Sequence, residues 1–416
     1  MKMQWAIFCF TLFGLTCHTG VADDWPQFLG PDRNGSCAET DLIDTFPDDG
    51  PSIAWRAAAG VGMSGIAVSA GSVYTLYQDE QQQYVVAMDA GTGDEKWKTG
   101  IAAAYENAMG NGPRATPSVA GSTVFVFSGE GTLAALSVDT GKVQWKVDTI
   151  RDFGAKPAAY GMSSSPLVVD GKVIVHVGSS DGTIVAYDVE SGDQVWNVGN
   201  QPSGYSSPVM MKLGGNKQIV SFIAAALVGI APADGRELWN HKFATDYDCN
   251  IAVPRQLNDS SLLISSGENH GSAILKVTES GEAWSVEETW TSFGKGSVLR
   301  SEWQTPVETN GHLFGMDNIG SAGPITNLVC VNIVSGKQVW GKKRFGKSNL
   351  TLADGKLFIS TMNGELVIVK ATEDGFQETA RATVLGMTRQ APVIANGQLY
   401  LRDDNEIVCI DIRSTK

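Results

Sequence analysis

The stretch Ala87-Met88-Asp89-Ala90-Gly91-Thr92-Gly93-Asp94-Glu95-Lys96-Trp97 returns as Ala186-Tyr187-Asp188-Val189-Glu190-Ser191-Gly192-Asp193-Gln194-Val195-Trp196. Ala, Asp, Thr or Ser, Gly and Trp keep their places. A third copy runs from Ala135 to Trp145 with Ser137 in the Asp position, and Gly235 to Trp239 and Gly336 to Trp340 keep the Gly-x-x-x-Trp end. Weaker copies centre on Ser280-Gly281 and Asp374-Gly375, and the chain ends inside another at Cys409-Ile410-Asp411. The glycines recur every 39 to 55 residues, a period that belongs to repeat architectures.

Ahead of most windows stands a Ser/Thr-Pro or related start: Thr116-Pro117, Ser165-Pro166, Ser207-Pro208, Thr305-Pro306 and Ala391-Pro392. Alternating strands follow, such as Lys172 to His176 and Lys356 to Ile359, joined by short turns such as Asp181-Gly182 and Asn363-Gly364. Hairpins favour such turns. Each unit therefore reads as four short antiparallel strands, one propeller blade. Outer-strand positions fall at Trp97, Trp145, Trp196, Trp239, Trp290 and Trp340, with a degenerate seventh near Thr379. Pro392 to Ile412 holds only three strands, and Ser52 to Arg56 reads as the missing fourth. Joining them predicts an eight-bladed all-β propeller that hides both sheet edges, with seven blades the nearest alternative.

In this reading the repeated window is structural. Gly supplies the positive φ of a tight turn, and the Asp and Thr/Ser side chains bind the turn's own amides. The small Ala is expected to receive a Trp from the neighbouring blade. Trp55, Trp97, Trp145, Trp196, Trp239 and Trp340 are the expected docking residues, each able to bury about 150–250 Å².

Ala-x-Asp-x-x-Thr-Gly-x-x-x-Trp resembles the tryptophan-docking motif of the pyrroloquinoline-quinone (PQQ) repeat. That repeat builds the eight-bladed propellers of quinoprotein alcohol dehydrogenases and of BamB-like outer-membrane assembly lipoproteins. The preface Trp25-Pro26-Gln27-Phe28-Leu29-Gly30-Pro31, together with Gly110 to Pro117 and Gly204 to Pro208, is similar to secreted PQQ-binding-like propeller proteins. The resemblance implies the fold; it does not by itself carry an activity. The dehydrogenase branch would further imply PQQ, a Ca²⁺ held by Glu, Asn and Asp, an Asp base and an adjacent Cys-Cys pair. No two cysteines are adjacent here, and Asp246, Asp248 and Glu302 do not map onto the calcium ligands. The residues thus predict no cofactor, with PQQ and Ca²⁺ carried only as the alternative of a quinone-dependent oxidoreductase.

The chain has 416 residues, 43% hydrophobic and 18% charged, enough for a large core. A net charge of −14 opposes a phosphate backbone, so nucleic acid is not an expected partner. Lys2, the apolar run Trp5 to Leu15 and the small residues Gly20-Val21-Ala22 read as a signal peptide over 1–22. A membrane span needs about 20 apolar residues, so no transmembrane segment is expected. Residues 23–50 form an N-terminal extension or cap and 51–416 a single propeller domain. The protein is expected in the periplasm or outside the cell, and lipid anchoring at Cys17 is disfavoured because Gly14-Leu15-Thr16 is a poor lipobox. Cys37, Cys249, Cys330 and Cys409 lie far apart, which leaves free thiols and any of three disulfide pairings open.

Enzyme signatures are weak. Gly178 to Gly182 matches a nucleophile-elbow string but sits in a hairpin turn. Gly110 to Ala115 matches a dinucleotide fingerprint only as letters, since Pro113 and the lack of a helix remove its mechanism. His176, His241, His270 and His312 have no metal-ligand spacing, so neither catalytic nor metal residues are assigned. The segments before the inner strands hold the unusual residues: Asn107, Arg114, Tyr160, Tyr205, Arg300, Trp303 and Arg389 are the candidate ligand face. Arg114, Arg300 and Arg389 are expected to converge on the central mouth, with Asp246, Asp248 and Glu302 as internal partners. The function this predicts is an exported, non-catalytic scaffold that binds a protein, peptide or glycan at that mouth.

Overall fold

The computed structural model describes residues 24–281, 283–321 and 323–414; the expected signal peptide lies outside them. Eight four-stranded antiparallel sheets form the ring. Blades 1 to 7 span 67–103, 118–148, 167–198, 209–242, 255–293, 307–342 and 348–383. Blade 8 takes three strands from 393–411 and its fourth, Ser52–Ala58, from the other end of the propeller, in the strand order Ser52–Ala58, Glu406–Asp411, Gln398–Arg402, Val393–Ala395. Trp55 stands opposite Cys409, and Ala57 opposite Ile407. The eight-blade count and the closure read from the sequence are both present.

The first strands line the axis: Ala67–Ser69 approaches Ser118–Ala120 on one side and Val393–Ala395 on the other. Second strands are the driest; all of Ser72–Gln78 is buried. Outer strands alternate, as Glu95–Ala103 does, because only one face meets the next blade.

Each repeated turn is built by its own side chains. The Asp89 carboxylate accepts from the amides of Gly91 and Thr92 at 2.9 and 3.1 Å, and Gly93 has φ +77°. The tryptophans then bridge blades. Trp55, Trp97, Trp145 and Trp340 donate their indole N–H to the carbonyls of Ala90, Val138, Val189 and Thr372 at 2.8–2.9 Å, and Trp196 to Pro232 at 3.3 Å. It is the turn glycine that lies beneath the neighbour's indole. A Cβ on Gly235 would stand 2.7 Å from the Trp196 ring. The small Ala instead faces the Trp of its own blade, as in the Ala87–Trp97 and Ala186–Trp196 pairs; this corrects the neighbouring-blade expectation.

Trp239 also departs from expectation. Its indole folds back over Gly229 and donates to Gln218 Oε1 at 2.6 Å within its own blade. Blade 5 offers it no receiving turn, because Gly271–Ser280 and Ala283–Phe293 continue as one long hairpin past that position. Trp290, in contrast, covers Gly336 of the next blade.

The Ser/Thr-Pro starts form a relay around the axis. Ser165 Oγ accepts from the Thr116 amide at 3.0 Å, Ser207 Oγ from the Ser165 amide at 2.9 Å, and Thr305 Oγ1 from the Val253 amide at 2.9 Å. One blade's hydroxyl satisfies the previous blade's buried donor, and the following proline has no N–H to satisfy.

The N-terminal extension crosses the end of the channel where the inner strands finish. Trp25 pairs with Val68 of blade 1, the Pro26 carbonyl accepts from Val119 of blade 2, and Cys37 donates to Leu352 of blade 7. Glu39 accepts from Gly397 of blade 8, and Arg255 of blade 5 donates to the Asn34 carbonyl. Arg33 is the centre of this strap and is 3% exposed. Its guanidinium donates to Gln27 Oε1 at 2.8 Å, to the Pro208 and Ser165 carbonyls at 2.9 and 3.2 Å, and to the Pro166 carbonyl. Burial brings its pKa down to about 9. No disulfide joins the four cysteines of the described residues.

Candidate functional site

With one end strapped, the channel is a blind pocket. Its cavity measures about 120 Å³, floored by Trp25, Phe28 and Leu29 and rimmed at the open end by Arg114, Trp303 and Arg389. The rim residues come from the connections that precede the first strands of blades 2, 6 and 8.

Their roles differ. Arg114 is consumed by its own loop and the next one. Its Nε donates to the Tyr160 carbonyl and Nη2 to the Gly110 carbonyl, both at 2.6 Å, Nη1 reaches the Gly112 carbonyl, and the guanidinium lies 4.7 Å over the Tyr105 ring. Burial lowers its pKa to about 10. Asn107 is a second staple, donating to the Ala159 carbonyl at 2.9 Å and accepting from the Met109 amide at 3.0 Å.

Arg300 does not reach the mouth, contrary to expectation. It is buried in a two-pronged pair with Asp317 at 2.7 and 2.8 Å and donates to the Ser297 carbonyl at 2.9 Å. Asp317 lies on the second strand of the same blade, where the local chain supplies a partner before the channel can. The internal partners expected for the arginines are otherwise placed as well. Glu302 meets Lys347 Nζ at 2.9 Å, with burial raising the pKa of its carboxyl, and Asp246 and Asp248 sit on an exposed turn.

Arg389 is the cation with spare capacity. Its Nη1 donates to the Met109 carbonyl at 2.7 Å and touches Met63 Sδ at 3.0 Å. Its buried Nε has no partner among the described residues, and no carboxylate pairs with it. The guanidinium stands 5.8 Å from the Trp303 ring centre, and Lys347 Nζ lies 4.3 Å from the same ring. Trp303 is thus flanked by two cations. Tyr160 and Tyr205 pack together, ring centres 5.4 Å apart, in a groove beside the channel rather than in it.

His176 is buried in its strand, and burial lowers its pKa to about 3. Gly178 to Gly182 is the hairpin turn between Lys172–Ser179 and Gly182–Asp188. Sequence reasoning missed Arg33, Arg402 and Asp317. Arg402 is wholly buried on the Thr75 hydroxyl and the Leu76 and Gly60 carbonyls. A lone arginine beside turn residues carries no sign of burial; only the ring closure brings Arg402 of blade 8 under carbonyls of blade 1 and its entry, more than 300 residues away in sequence.

The fold and its repeated turns define an eight-bladed propeller of the PQQ-repeat class. A family model described as outer membrane protein assembly factor BamB matches residues 47–153 and 81–319, more than half of the chain, and the chain belongs to that family. It is 22% identical over 348 residues to the outer membrane protein assembly factor BamB of Yersinia pestis, covering 79% of this chain and 69% of that protein. It is 31% identical over 140 residues to the quinohemoprotein alcohol dehydrogenase ADH IIB of Pseudomonas putida, covering 32% of this chain but only 20% of that enzyme. Among solved structures, the quinohemoprotein alcohol dehydrogenase of Comamonas testosteroni superposes with TM-score 0.69 at 13% identity, over 94% of this chain and 81% of that one. BamB of Moraxella catarrhalis superposes with TM-score 0.59 at 17% identity, over 87% and 99%. Both likenesses show the fold.

The dehydrogenase relatives raise the question of a quinone with its metal. The cavity is well under the roughly 300–1,000 Å³ of small-molecule pockets. No three His, Cys, Asp or Glu side chains among the described residues are grouped to hold a cation. No described helix is long and apolar enough to cross a membrane.

Proposed function

We propose that this chain is an exported, non-catalytic binding scaffold that engages a protein partner at the channel-mouth face. The observation that carries the reading is Arg389, a cation beside Trp303 at the channel mouth whose buried Nε has no partner among the described residues. Arg and Trp are both enriched at interface hot spots. Val61, Met109 and Met387 stand exposed on the connections around it. The BamB relatives, named as assembly factors, support a protein partner over a small substrate, and the sequence signal over 1–22 supports export.

Photocrosslinking in intact expressing cells tests the reading. A benzophenone amino acid at Met109 or Met387 should give a discrete adduct that Arg389→Ala weakens, whereas one at Val334, on an outer turn, should give none. Equal labelling from both positions would contradict it. The alternative, a quinone-dependent oxidoreductase, is favoured by the dehydrogenase relatives alone.

A further inference from the structure

A second concavity lies on the same face, off the axis, walled by the connections into blades 3, 4 and 5 and by the Gly178–Ser180 turn of blade 3. Its volume is about 510 Å³, inside the range of small-molecule sites and more than four times that of the channel. Glycine, alanine and proline make up much of the walls.

Its aromatic side is held rigidly. Tyr205 is buried, its hydroxyl accepts from the Tyr160 amide at 3.3 Å, and the two rings pack at 5.4 Å. At the rim the chain does something costly. Tyr247 and Asp248 are successive L-residues in the left-handed region, φ +61° and +56°, yet Tyr247 is 69% exposed. Backbone strain that presents a large aromatic ring to water is the kind that accompanies function.

The polar groups complete the pattern. Lys156 and Asp248 contribute one positive and one negative charge, and Ser180, Tyr160 and Tyr247 contribute hydroxyls. None of these five side chains is engaged in a hydrogen bond or ion pair among the described residues. The lining therefore offers donors and acceptors in balance, with no net charge, beside flat ring faces. A charged peptide gains little from such a lining, and the strand residues in the wall, Gly178 and Ser179, belong to Lys172–Ser179, which is paired on both sides and offers an extended peptide no open edge. A proline-rich helix wants aromatic ridges but has few groups for three hydroxyls, a carboxylate and an ammonium. A ligand dense in hydroxyls with apolar ring faces matches all of them.

We propose that this groove is a binding site for a short neutral oligosaccharide, stacked on Tyr247 and Tyr160 and hydrogen-bonded by Asp248, Lys156 and Ser180. The proposal is independent of the reading of the channel mouth. The full mature chain should be titrated by calorimetry with unsubstituted cello-, malto-, manno- and chito-hexaoses, and in parallel with decaproline. Saturable binding of at least one hexaose is expected, weakened at least tenfold by Tyr247→Ala and by Asp248→Asn, and unchanged by Arg389→Ala. Tyr247→Gly, which relieves the left-handed backbone, should raise the melting temperature while losing the sugar. The proposal is overturned if no hexaose binds saturably, if binding survives both Tyr247→Ala and Asp248→Asn, or if decaproline rather than a sugar gives the Tyr247-dependent titration.

Discussion

The indole nitrogen of Trp55 donates to the carbonyl of Ala90 at 2.9 Å, although one belongs to the last blade and the other to the first. Strand pairing and tryptophan docking therefore close the ring at the same place. Trp55 is buried and also packs on Tyr400, ring centres 5.9 Å apart. Trp55→Ala should lower the free energy of unfolding by about 3–5 kcal/mol, as large-to-small aromatic core changes do. Urea denaturation measures it, and a loss under about 1 kcal/mol would mean the ring does not depend on this closure.

The turn glycines give a sharper test of docking. Gly192 and Gly281 both have positive φ, +75° and +64°, so alanine costs backbone strain of about 1–2 kcal/mol at either. A Cβ at Gly192 would also stand 2.7 Å from the Trp145 ring, while one at Gly281 meets nothing within 4 Å. Gly192→Ala should be the more destabilising by at least about 1 kcal/mol. Equal losses would show that the indole does not press on the turn.

The arginines separate by role. Arg300→Ala strands buried Asp317 and should cost about 3–5 kcal/mol. Arg389→Ala removes one backbone hydrogen bond and should cost about 1 kcal/mol. Thermal unfolding of the two variants side by side checks this, and a reversed order would exchange their assignments as structural and recognition residues.

What the sequence reveals here follows from periodicity. Ala, Gly and Trp recur at fixed spacing because every blade meets the same steric problem, so the blade count and the Ser52–Ala58 closure can be read directly. Arg33, Arg300 and Trp239 could not be read that way. Their partners, Pro208, Asp317 and Gln218, occur once each and become neighbours only through the fold. Trp239 looks like its siblings in sequence, and its departure is set by a hairpin some 40 residues further on. Convergence on the mouth was likewise visible only in part. Position before an inner strand brings Arg114 and Arg389 to the channel rim, but it does not say which guanidinium a nearby carbonyl or carboxylate will take.

Acid should act through His176. Its pKa in the fold, about 3, lies below its unfolded value near 6.5, so between those values the unfolded chain holds the additional proton. The stability it contributes is complete above about pH 6.5 and is lost as pH falls toward 3, at up to about 1.4 kcal/mol per unit. Denaturant midpoints from pH 7 to 4 should fall less steeply for His176→Gln than for the natural chain. Parallel profiles would show that His176 is protonated within the fold.

The most direct measurement of the central claim is a titration of the purified mature chain with PQQ and Ca²⁺, followed by absorbance and by dye-linked oxidation of primary alcohols. A scaffold whose channel is strapped by Arg33 and reduced to about 120 Å³ should show neither a saturable spectral change nor turnover. A one-to-one quinone complex that oxidises an alcohol would contradict it and make this propeller an enzyme.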